Sequence, residues 1–233
     1  MTRWKEPIIG FASAGDPLFL QLKQVVSSSH LLPEELLPGA RSLIVFFIPF
    51  EESIVKSNIS GSLASREWAL AYIETNVLIA AIGERMKEYF SSFGYEVMVT
   101  PATHNFDPQK LISNWSHRHI GYIAGLGKFG LNNMLITSAG CCGRFGSFTT
   151  NMEFLPDIRP EGEACLYRYN GTCKTCINRC VGEALFIDES FRRHKCYEVC
   201  LRNEAYYQEI GKADVCGKCI VGLPCSFMNP VKR

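Results

Sequence analysis

The chain has 233 residues, with 24 Lys and Arg against 23 Asp and Glu, and 47% of its residues are apolar. This apolar content excludes a mainly disordered chain, and the length fits one domain or two small ones. The net charge of +1 excludes a general electrostatic field for gathering nucleic acid or anionic lipid, although a local basic patch is compatible with it.

Helical and strand patterns alternate along the first two thirds of the chain. A short helix is predicted over residues 18–23, and the near-continuous apolar run over 42–50 predicts a buried strand that ends near Pro49. Apolar residues at helical spacing predict a long helix over 62–92, with Gly94 just past its end. We further predict a strand over 95–100, a helix over 109–124, and a hairpin that pairs 131–137 with 145–154.

The composition changes near residue 157, where Pro156 and Pro160 mark a joint. We therefore predict an α/β (α+β) N-terminal domain over residues 1–157 and a Cys-rich C-terminal domain over residues 158–233. No apolar run approaches the roughly 20 residues that span a bilayer, and no targeting segment is convincing. The sequence thus predicts a cytoplasmic protein with no membrane partner.

Nine of the 11 cysteines lie between Cys165 and Cys225, and none precedes Cys141. The odd count excludes complete pairing within one chain, and the clustering favours metal binding in a reducing compartment. Two sets follow in tandem: Cys165 with a C-x2-C-x3-C run, and Cys196 with a C-x2-C-x5-C run. In two-cluster ferredoxins, the last cysteine of a run ligates the other cluster.

This interleaving assigns eight cysteines to two [4Fe–4S] clusters. One cluster takes Cys165, Cys173, Cys176 and Cys225, and the other takes Cys180, Cys196, Cys216 and Cys219. Cys200 is left as a spare or an alternative ligand. Two structural zinc sites or disulfide bonds are the alternatives, but the C-x2-C-x3-C run favours iron–sulfur because zinc ribbons usually present isolated C-x2-C pairs.

Gly125, Gly127 and Gly130 form a G-x-G-x-x-G pattern. A dinucleotide-binding fingerprint needs a preceding strand and a following helix, whereas here a predicted helix precedes the glycines and a strand follows them. Two interpretations stay open. The glycines either form a turn between helix and strand, or let the backbone around Leu126 lie against a flat cofactor.

Candidates for catalysis lie just before these glycines. His117 and His119 are two residues apart, so a regular helix directs them to different sides, and each is either a proton donor or ligand in a cofactor cavity or a structural histidine. Arg118 either pairs with a phosphate or carboxylate or is a surface charge. Cys141 and Cys142 are either redox thiols or small apolar residues packed at a turn.

Residues 124–131 (AGLGKFGL), residues 135–137 (LIT) and the two cysteine sets together resemble the epoxyqueuosine reductase and reductive dehalogenase superfamily. Residues 10–12 (GFA) and 37–45 (LPGARSLIV) also match its pattern. The resemblance implies a nitroreductase-like, cobalamin-binding domain followed by a ferredoxin-like domain with two clusters. In that superfamily the clusters pass electrons to cobalamin, which reduces the substrate, and in epoxyqueuosine reductases the substrate is a modified base in tRNA.

The chain departs from those reductases in the stretch that carries their acidic proton donor. With Arg118 aligned, residues 111–114 (LISN) occupy that stretch, and the nearest acid, Asp107, is out of register. Because the sequence ends soon after Cys225, we expect no counterpart of the extension that helps full-length reductases hold tRNA. Residues 115–119 (WSHRH) match a shorter branch, for which the substrate is either a small molecule or tRNA.

The sequence therefore predicts an iron–sulfur oxidoreductase. Two [4Fe–4S] clusters would feed cobalamin, another flat cofactor or the substrate in the N-terminal domain, with electrons from a ferredoxin- or flavodoxin-type donor protein. The alternative is a non-enzymatic carrier that delivers electrons to a partner protein. The N-terminal region favours the enzyme because it is large enough to form a core of its own.

Overall fold

A computed structural model describes residues 2–102 and 104–231. The fold is mixed α+β and is built on a four-stranded antiparallel sheet of order β1-β2-β6-β3. Its strands are β1 (Ile8–Ser13), β2 (Ser42–Pro49), β3 (Val97–Val99) and β6 (Gly143–Thr150). A separate antiparallel pair consists of β4 (Gly127–Phe129) and β5 (Leu135–Thr137).

Helices connect and cover these strands. In chain order they are α1 (Leu18–Val25), α2 (Pro33–Leu36), α3 (Glu52–Ser57), α4 (Arg66–Ser91), α5 (His117–Ile123), α6 (Leu166–Asn170), α7 (Thr175–Asn178) and α8 (Arg193–Tyr206), followed by a 3-10 turn at Gln208–Ile210. Within the described ranges, no helix is long and apolar enough to cross a membrane.

Strand β2 is buried along its whole length, which confirms the strand that the apolar run predicts. Alternate side chains point to opposite faces of a strand, so each face of β2 supports its own core. Leu43, Val45 and Phe47 pack with residues of α1 and α5, whereas Ile44, Phe46 and Ile48 pack with residues of α4. Both faces of the sheet are therefore covered, and Pro49 ends the strand as predicted.

The long helix α4 is confirmed, but it begins later than predicted. Ser65 is its N-cap, and the Ser65 hydroxyl accepts a hydrogen bond from the Trp68 amide at 3.1 Å. Such a side chain satisfies one of the amides that the first turn leaves unpaired, which fixes the start of the helix at Arg66. Residues 58–65 form turns and bends between α4 and the separate helix α3, and Gly94 (φ +80°) follows the end of α4.

Two predicted elements are wrong. The helix predicted over 109–124 is confined to α5, because the Asp107 carboxylate accepts the amides of Gln109 and Lys110 in a turn, and Leu111 adopts φ +53°. The predicted hairpin does not form either, since β5 pairs with β4 and β6 pairs with β2 and β3.

The Cys-rich segment packs against the rest of the chain through a mixed apolar core. Trp68, Ile136 and Cys141 from the first part contact this core together with Ala164 and Ile220 from the last part. The described part of residues 158–231 consists of helices α6 to α8, the 3-10 turn and loops, with no strand. This packing holds the cysteine loops against β5 and the turn that follows it.

Candidate functional site

The four cysteines of the first predicted set surround one small cavity. Cys165 caps helix α6, Cys176 lies in α7, and Cys173 and Cys225 lie in loops. All four side chains line the same cavity, together with Ile136 and residues 130–132. The structure thus brings together residues that are up to 60 positions apart in the chain (165 to 225).

The cysteines of the second predicted set also lie near one another. Cys180 and Cys196 each raise the pKa of the Cys216 and Cys219 thiols by electrostatic repulsion, which requires the four side chains to lie close together. Burial raises the pKa of the Cys216 and Cys219 thiols, and the neighbouring cysteines raise it further. A thiol in this environment stays protonated unless a metal displaces its proton.

All 11 cysteines lie within the described residues, and each of them is a free thiol there. Across the described ranges, no group of three or more His, Cys, Asp or Glu side chains is spaced to hold a single metal ion. The remaining cysteine of the segment, Cys200, lies beside Cys196 on α8, and this contact lowers the pKa of the Cys196 thiol to about 7.

A larger cavity of about 450 Å³ lies next to the first set. Its walls include Gly125, Leu126 and Gly127, and also Lys128 and the loop around Asp157. Ile136 lines both this cavity and the small one that holds the four cysteines, so the two cavities share a wall residue. A volume of this size falls within the range of small-molecule sites, about 300–1,000 Å³.

The geometry of the glycines favours the turn interpretation. The segment joins helix α5 to strand β4, as predicted, and Gly125 has φ +75°. A Cβ atom at Gly127 would lie 2.1 Å from the Ile136 carbonyl oxygen, and one at Gly125 would lie 2.9 Å from the Ile158 carbonyl oxygen. Protein backbone therefore accounts for the missing side chains of Gly125 and Gly127, whereas Gly130 faces side-chain atoms of Asn132 and Ile136.

The histidines of α5 face different sides, as predicted. His117 is buried, and both of its ring nitrogens have partners within the protein: Nδ1 lies 2.8 Å from Ser147 Oγ, and Nε2 lies 3.0 Å from the Pro101 carbonyl oxygen. Burial lowers the pKa of His117 to about 4, which keeps the ring neutral. His117 therefore has the environment of a structural histidine.

His119 and Arg118 lie closer to the cysteines and the glycine segment. The His119 ring packs on Phe129 of β4 with centroids 4.7 Å apart, and its Nδ1 lies 2.7 Å from Ser116 Oγ. Arg118 donates to the Asn133 carbonyl oxygen at 2.6 Å. Its positive charge also interacts electrostatically with the Cys196 and Cys219 thiols of the second set. No carboxylate among the described residues forms an ion pair with Arg118.

Asp107 is poorly suited to donate a proton. Its carboxylate accepts the amides of Lys110 and Gln109, and these hydrogen bonds hold the pKa of Asp107 below its ordinary value. The group is therefore ionised at neutral pH and stabilises the turn that replaces the start of the predicted helix.

Sequence reasoning missed two polar groups that link the first part of the chain to the Cys-rich segment. Asn132 donates to the Cys219 carbonyl oxygen at 3.3 Å and so ties the glycine segment to a cysteine loop. Arg144 lies over the Tyr72 ring at 4.3 Å, and Tyr72 donates to Asp214 at 2.7 Å. The Arg144 Nε atom is buried without a hydrogen-bond partner in the structure. Only the pairing of β6 with β2 brings Arg144 to this place, so no local pattern could have indicated it.

Comparison with solved structures identifies the fold. An epoxyqueuosine reductase from Bacillus subtilis, described with its catalytic aspartate loop swung out of the active site, matches over 94% of this chain and 61% of its own, with a TM-score of 0.60 and 17% identity. A catabolic reductive dehalogenase in complex with 3-bromo-4-hydroxybenzoic acid matches over 97% of this chain and 30% of its own, with a TM-score of 0.65 and 17% identity.

This chain has the fold of epoxyqueuosine reductases and reductive dehalogenases. A second dehalogenase structure, described as suggesting a mechanism for B12-dependent dehalogenation, matches over 91% of this chain and 28% of its own, with a TM-score of 0.62 and 17% identity. The predicted resemblance is thereby confirmed at the level of the fold. No family model and no curated protein matches the sequence. The chain spans less than two thirds of the length of each of these solved relatives.

Proposed function

We propose that this chain is an iron–sulfur oxidoreductase whose last part, residues 158–233, holds two [4Fe–4S] clusters in a ferredoxin-like arrangement. The first cluster would use Cys165, Cys173, Cys176 and Cys225, and the second would use Cys180, Cys196, Cys216 and Cys219. The supporting observation is that the first four line one cavity that shares the Ile136 wall with a ligand-sized cavity. An electron source would thus lie directly beside an acceptor.

The chemistry of the donor set fits this cofactor. Each set offers four soft thiol ligands and no histidine or carboxylate, which is the combination that iron–sulfur clusters use. A cluster spreads its four thiolates around a cube, whereas zinc draws four ligands to one ion. Bound metal would also displace the protons that burial keeps on Cys216 and Cys219.

The acceptor would occupy the cavity beside Gly125, Leu126 and Gly127. Cobalamin is the first candidate because one solved relative of the same fold is described as B12-dependent. When bound, cobalamin would supply a metal centre that takes up electrons and reduces a substrate. The glycines do not form an empty cradle for a flat ring, since backbone already approaches them. A second candidate acceptor is therefore a substrate that binds in this cavity and is reduced directly by the clusters. The experiments below test both candidates.

Arg118 would act on the second cluster by its charge. A reduced cluster carries one more negative charge than an oxidised one, and a nearby cation favours the reduced form. Arg118 is close enough to Cys196 and Cys219 to influence both thiols, and its own guanidinium has no carboxylate partner among the described residues. The positive charge is thus free to stabilise an electron on the second cluster.

The decisive experiment is anaerobic purification with iron, sulfide and zinc analysis. We expect about eight irons per chain and broad absorbance near 400 nm, as two [4Fe–4S] clusters would give. Cys176→Ser and Cys219→Ser should each lose about half of the iron, whereas Cys142→Ser, outside both sets, should lose none. Two zincs per chain instead of iron would refute the proposal.

The acceptor needs a second experiment on the iron-loaded protein. Cobalamin is titrated into the protein reduced by a ferredoxin or flavodoxin, and its absorbance is followed. The reduced protein is then offered epoxyqueuosine-containing tRNA and a halogenated hydroxybenzoic acid. A cobalamin change with turnover of either substrate supports the enzyme. Two intact clusters with no response to any of these compounds would favour a carrier that passes electrons to a partner protein.

A further inference from the structure

The three tryptophans of the chain differ in what their indole N–H groups contact. Trp4 Nε1 donates to Thr75 Oγ1 at 2.8 Å. Trp115 Nε1 donates to Ser147 Oγ at 3.1 Å. Trp68 is as buried as Trp115, with exposures of 3% and 2%, but its Nε1 atom has no hydrogen-bond partner in the described part of the chain. A buried donor left unpaired costs about 1–3 kcal/mol, so this N–H calls for an acceptor.

The edge of the Trp68 indole lies against a loop of the second cysteine set. Gly217 lies between the proposed ligands Cys216 and Cys219 and has φ +73°. A Cβ atom on Gly217 would lie 2.3 Å from Trp68 Cζ2, 2.4 Å from Cε2 and 2.6 Å from Nε1, the atoms of the edge that carries the N–H. Trp68 and Cys219 also pack in the same apolar core. Glycine is therefore required for the unpaired N–H to approach this loop.

Polar contacts hold the loop and the indole at this separation. The Asn58 side chain donates to the Cys216 carbonyl oxygen at 2.9 Å and accepts the Ser65 amide at 2.9 Å. Ser65 is the N-cap of α4, and its hydroxyl accepts the Trp68 amide. Lys218 Nζ, from the same cysteine loop, donates to the Asn58 carbonyl oxygen at 2.9 Å. The first turn of α4 and the cysteine loop are thus tied together through Asn58.

We propose that the Trp68 indole N–H donates a hydrogen bond to a sulfur of the second cluster and so favours the reduced form of that cluster. This inference rests on the proposed function. Hydrogen bonds to cluster sulfurs are among the factors that set reduction potentials, and burial away from water strengthens them. The second cluster takes up one electron, and the indole keeps its proton and forms no covalent bond.

The first test is a redox titration of the anaerobic, iron-loaded protein, followed by electron paramagnetic resonance. Trp68→Phe keeps an aromatic ring and removes the N–H. We expect one cluster of this variant to show about a tenfold lower ratio of reduced to oxidised form at a fixed potential, which for one electron is a shift of about 59 mV. In a Cys219→Ser background, which should keep only the first cluster, Trp68→Phe should shift nothing. Trp115→Phe, which removes a buried N–H already bonded to Ser147, should leave both potentials unchanged.

A second measurement separates the hydrogen bond from packing. The protein is produced with tryptophan isotopically labelled at the indole nitrogen, and the reduced clusters are studied by pulsed electron paramagnetic resonance. We expect a coupling to the labelled nitrogen in the wild type and in Trp115→Phe, and none in Trp68→Phe.

Unchanged potentials in an iron-replete Trp68→Phe protein would overturn the inference and leave the proposed function intact. A shifted potential without any nitrogen coupling in the wild type would also overturn it, because packing alone would then be responsible. If Trp68→Phe loses iron, the nitrogen coupling of the wild type decides the question by its presence or absence. A wild-type protein without iron would instead refute the proposed function.

Discussion

Gly127 offers a direct test of why the glycine-rich segment carries glycines. Substitution by alanine would place a Cβ atom 2.1 Å from the Ile136 carbonyl oxygen and 2.7 Å from its carbonyl carbon. Ordinary contacts of a Cβ atom begin near 3.4 Å. Strands β4 and β5, which pair Gly127 with Thr137, would therefore have to separate by more than about 1 Å.

The expected cost follows from this clash. Overpacking a well-packed site costs about 1–3 kcal/mol, and we expect the upper end because both clashing atoms belong to the Ile136 backbone. At about 2–4 °C per kcal/mol for a chain of this size, Gly127→Ala should lower the melting temperature by about 6–12 °C. The measurement is a thermal unfolding scan of the anaerobic protein without added cofactor, at one fixed scan rate.

Gly15→Ala is the matched control, because its nearest neighbour, Ser13 Oγ, would lie 3.8 Å from the new Cβ atom. We expect its melting temperature to stay near that of the wild type. If Gly127→Ala melts within about 2 °C of this control, the strand-packing argument is refuted. A variant that is stable but no longer binds a cofactor would instead favour contact between the glycine backbone and a flat ligand.

Three further predictions follow from buried groups. The folded pKa of His117, about 4, lies below its ordinary value of 6.5, so its contribution to stability is complete above pH 6.5 and falls as the pH drops towards 4. Between pH 7 and pH 5 the free energy of unfolding of the wild type should fall by about 2 kcal/mol more than that of His117→Phe, as measured by urea unfolding. A difference between the two proteins that does not change with pH would contradict this. Arg118→Gln should lower the potential of the second cluster, with recovery in Arg118→Lys, and an unchanged potential would remove its proposed role. Gly140→Ala, whose new Cβ atom would lie 2.4 Å from the carbonyl oxygen of Ser226 beside Cys225, should lose about half of the iron, whereas Gly39→Ala, with a similar positive φ and open space, should lose none.

The elements that sequence patterns predicted well are those whose environment is uniform along the chain. Strand β2 is buried on both faces, so its apolar run is unbroken, and α4 has buried residues from its first turn to its last. The predicted helix does not form over residues 109–116 because the Asp107 carboxylate accepts hydrogen bonds from the amides of Gln109 and Lys110, where the helix would begin. The hairpin failed because strand pairing is decided by distant partners, and β6 pairs with β2, whose sequence lies about 100 residues earlier.

The same distinction applies to the candidate site. Cysteine spacing sufficed to predict the two ligand sets, which stay predictions until iron is measured, because the spacing of ligands is imposed by the cluster itself. The role of His117 could not be predicted, since its partners Ser147 and Pro101 reach it only through tertiary packing. The contact of Cys141 with the Cys225 loop likewise depends on a tertiary approach at Gly140.

Strand β5 and the turn after it connect the large cavity to the proposed first cluster. Ile136 on β5 lines both cavities, and four residues later the turn at Gly140 docks on the Cys225 loop. A ligand in the large cavity would therefore contact a wall residue of the proposed first site, whereas no cysteine of the second set is among the described residues that line this cavity. Because binding linkage is reciprocal, cobalamin binding should shift the potential of the first cluster, and reduction of that cluster should change cobalamin affinity by the same factor. Redox titration with and without cobalamin measures the first effect, and cobalamin titration of the oxidised and reduced protein measures the second. A shift confined to the second cluster would show that the acceptor lies beside Arg118 instead of the glycine segment.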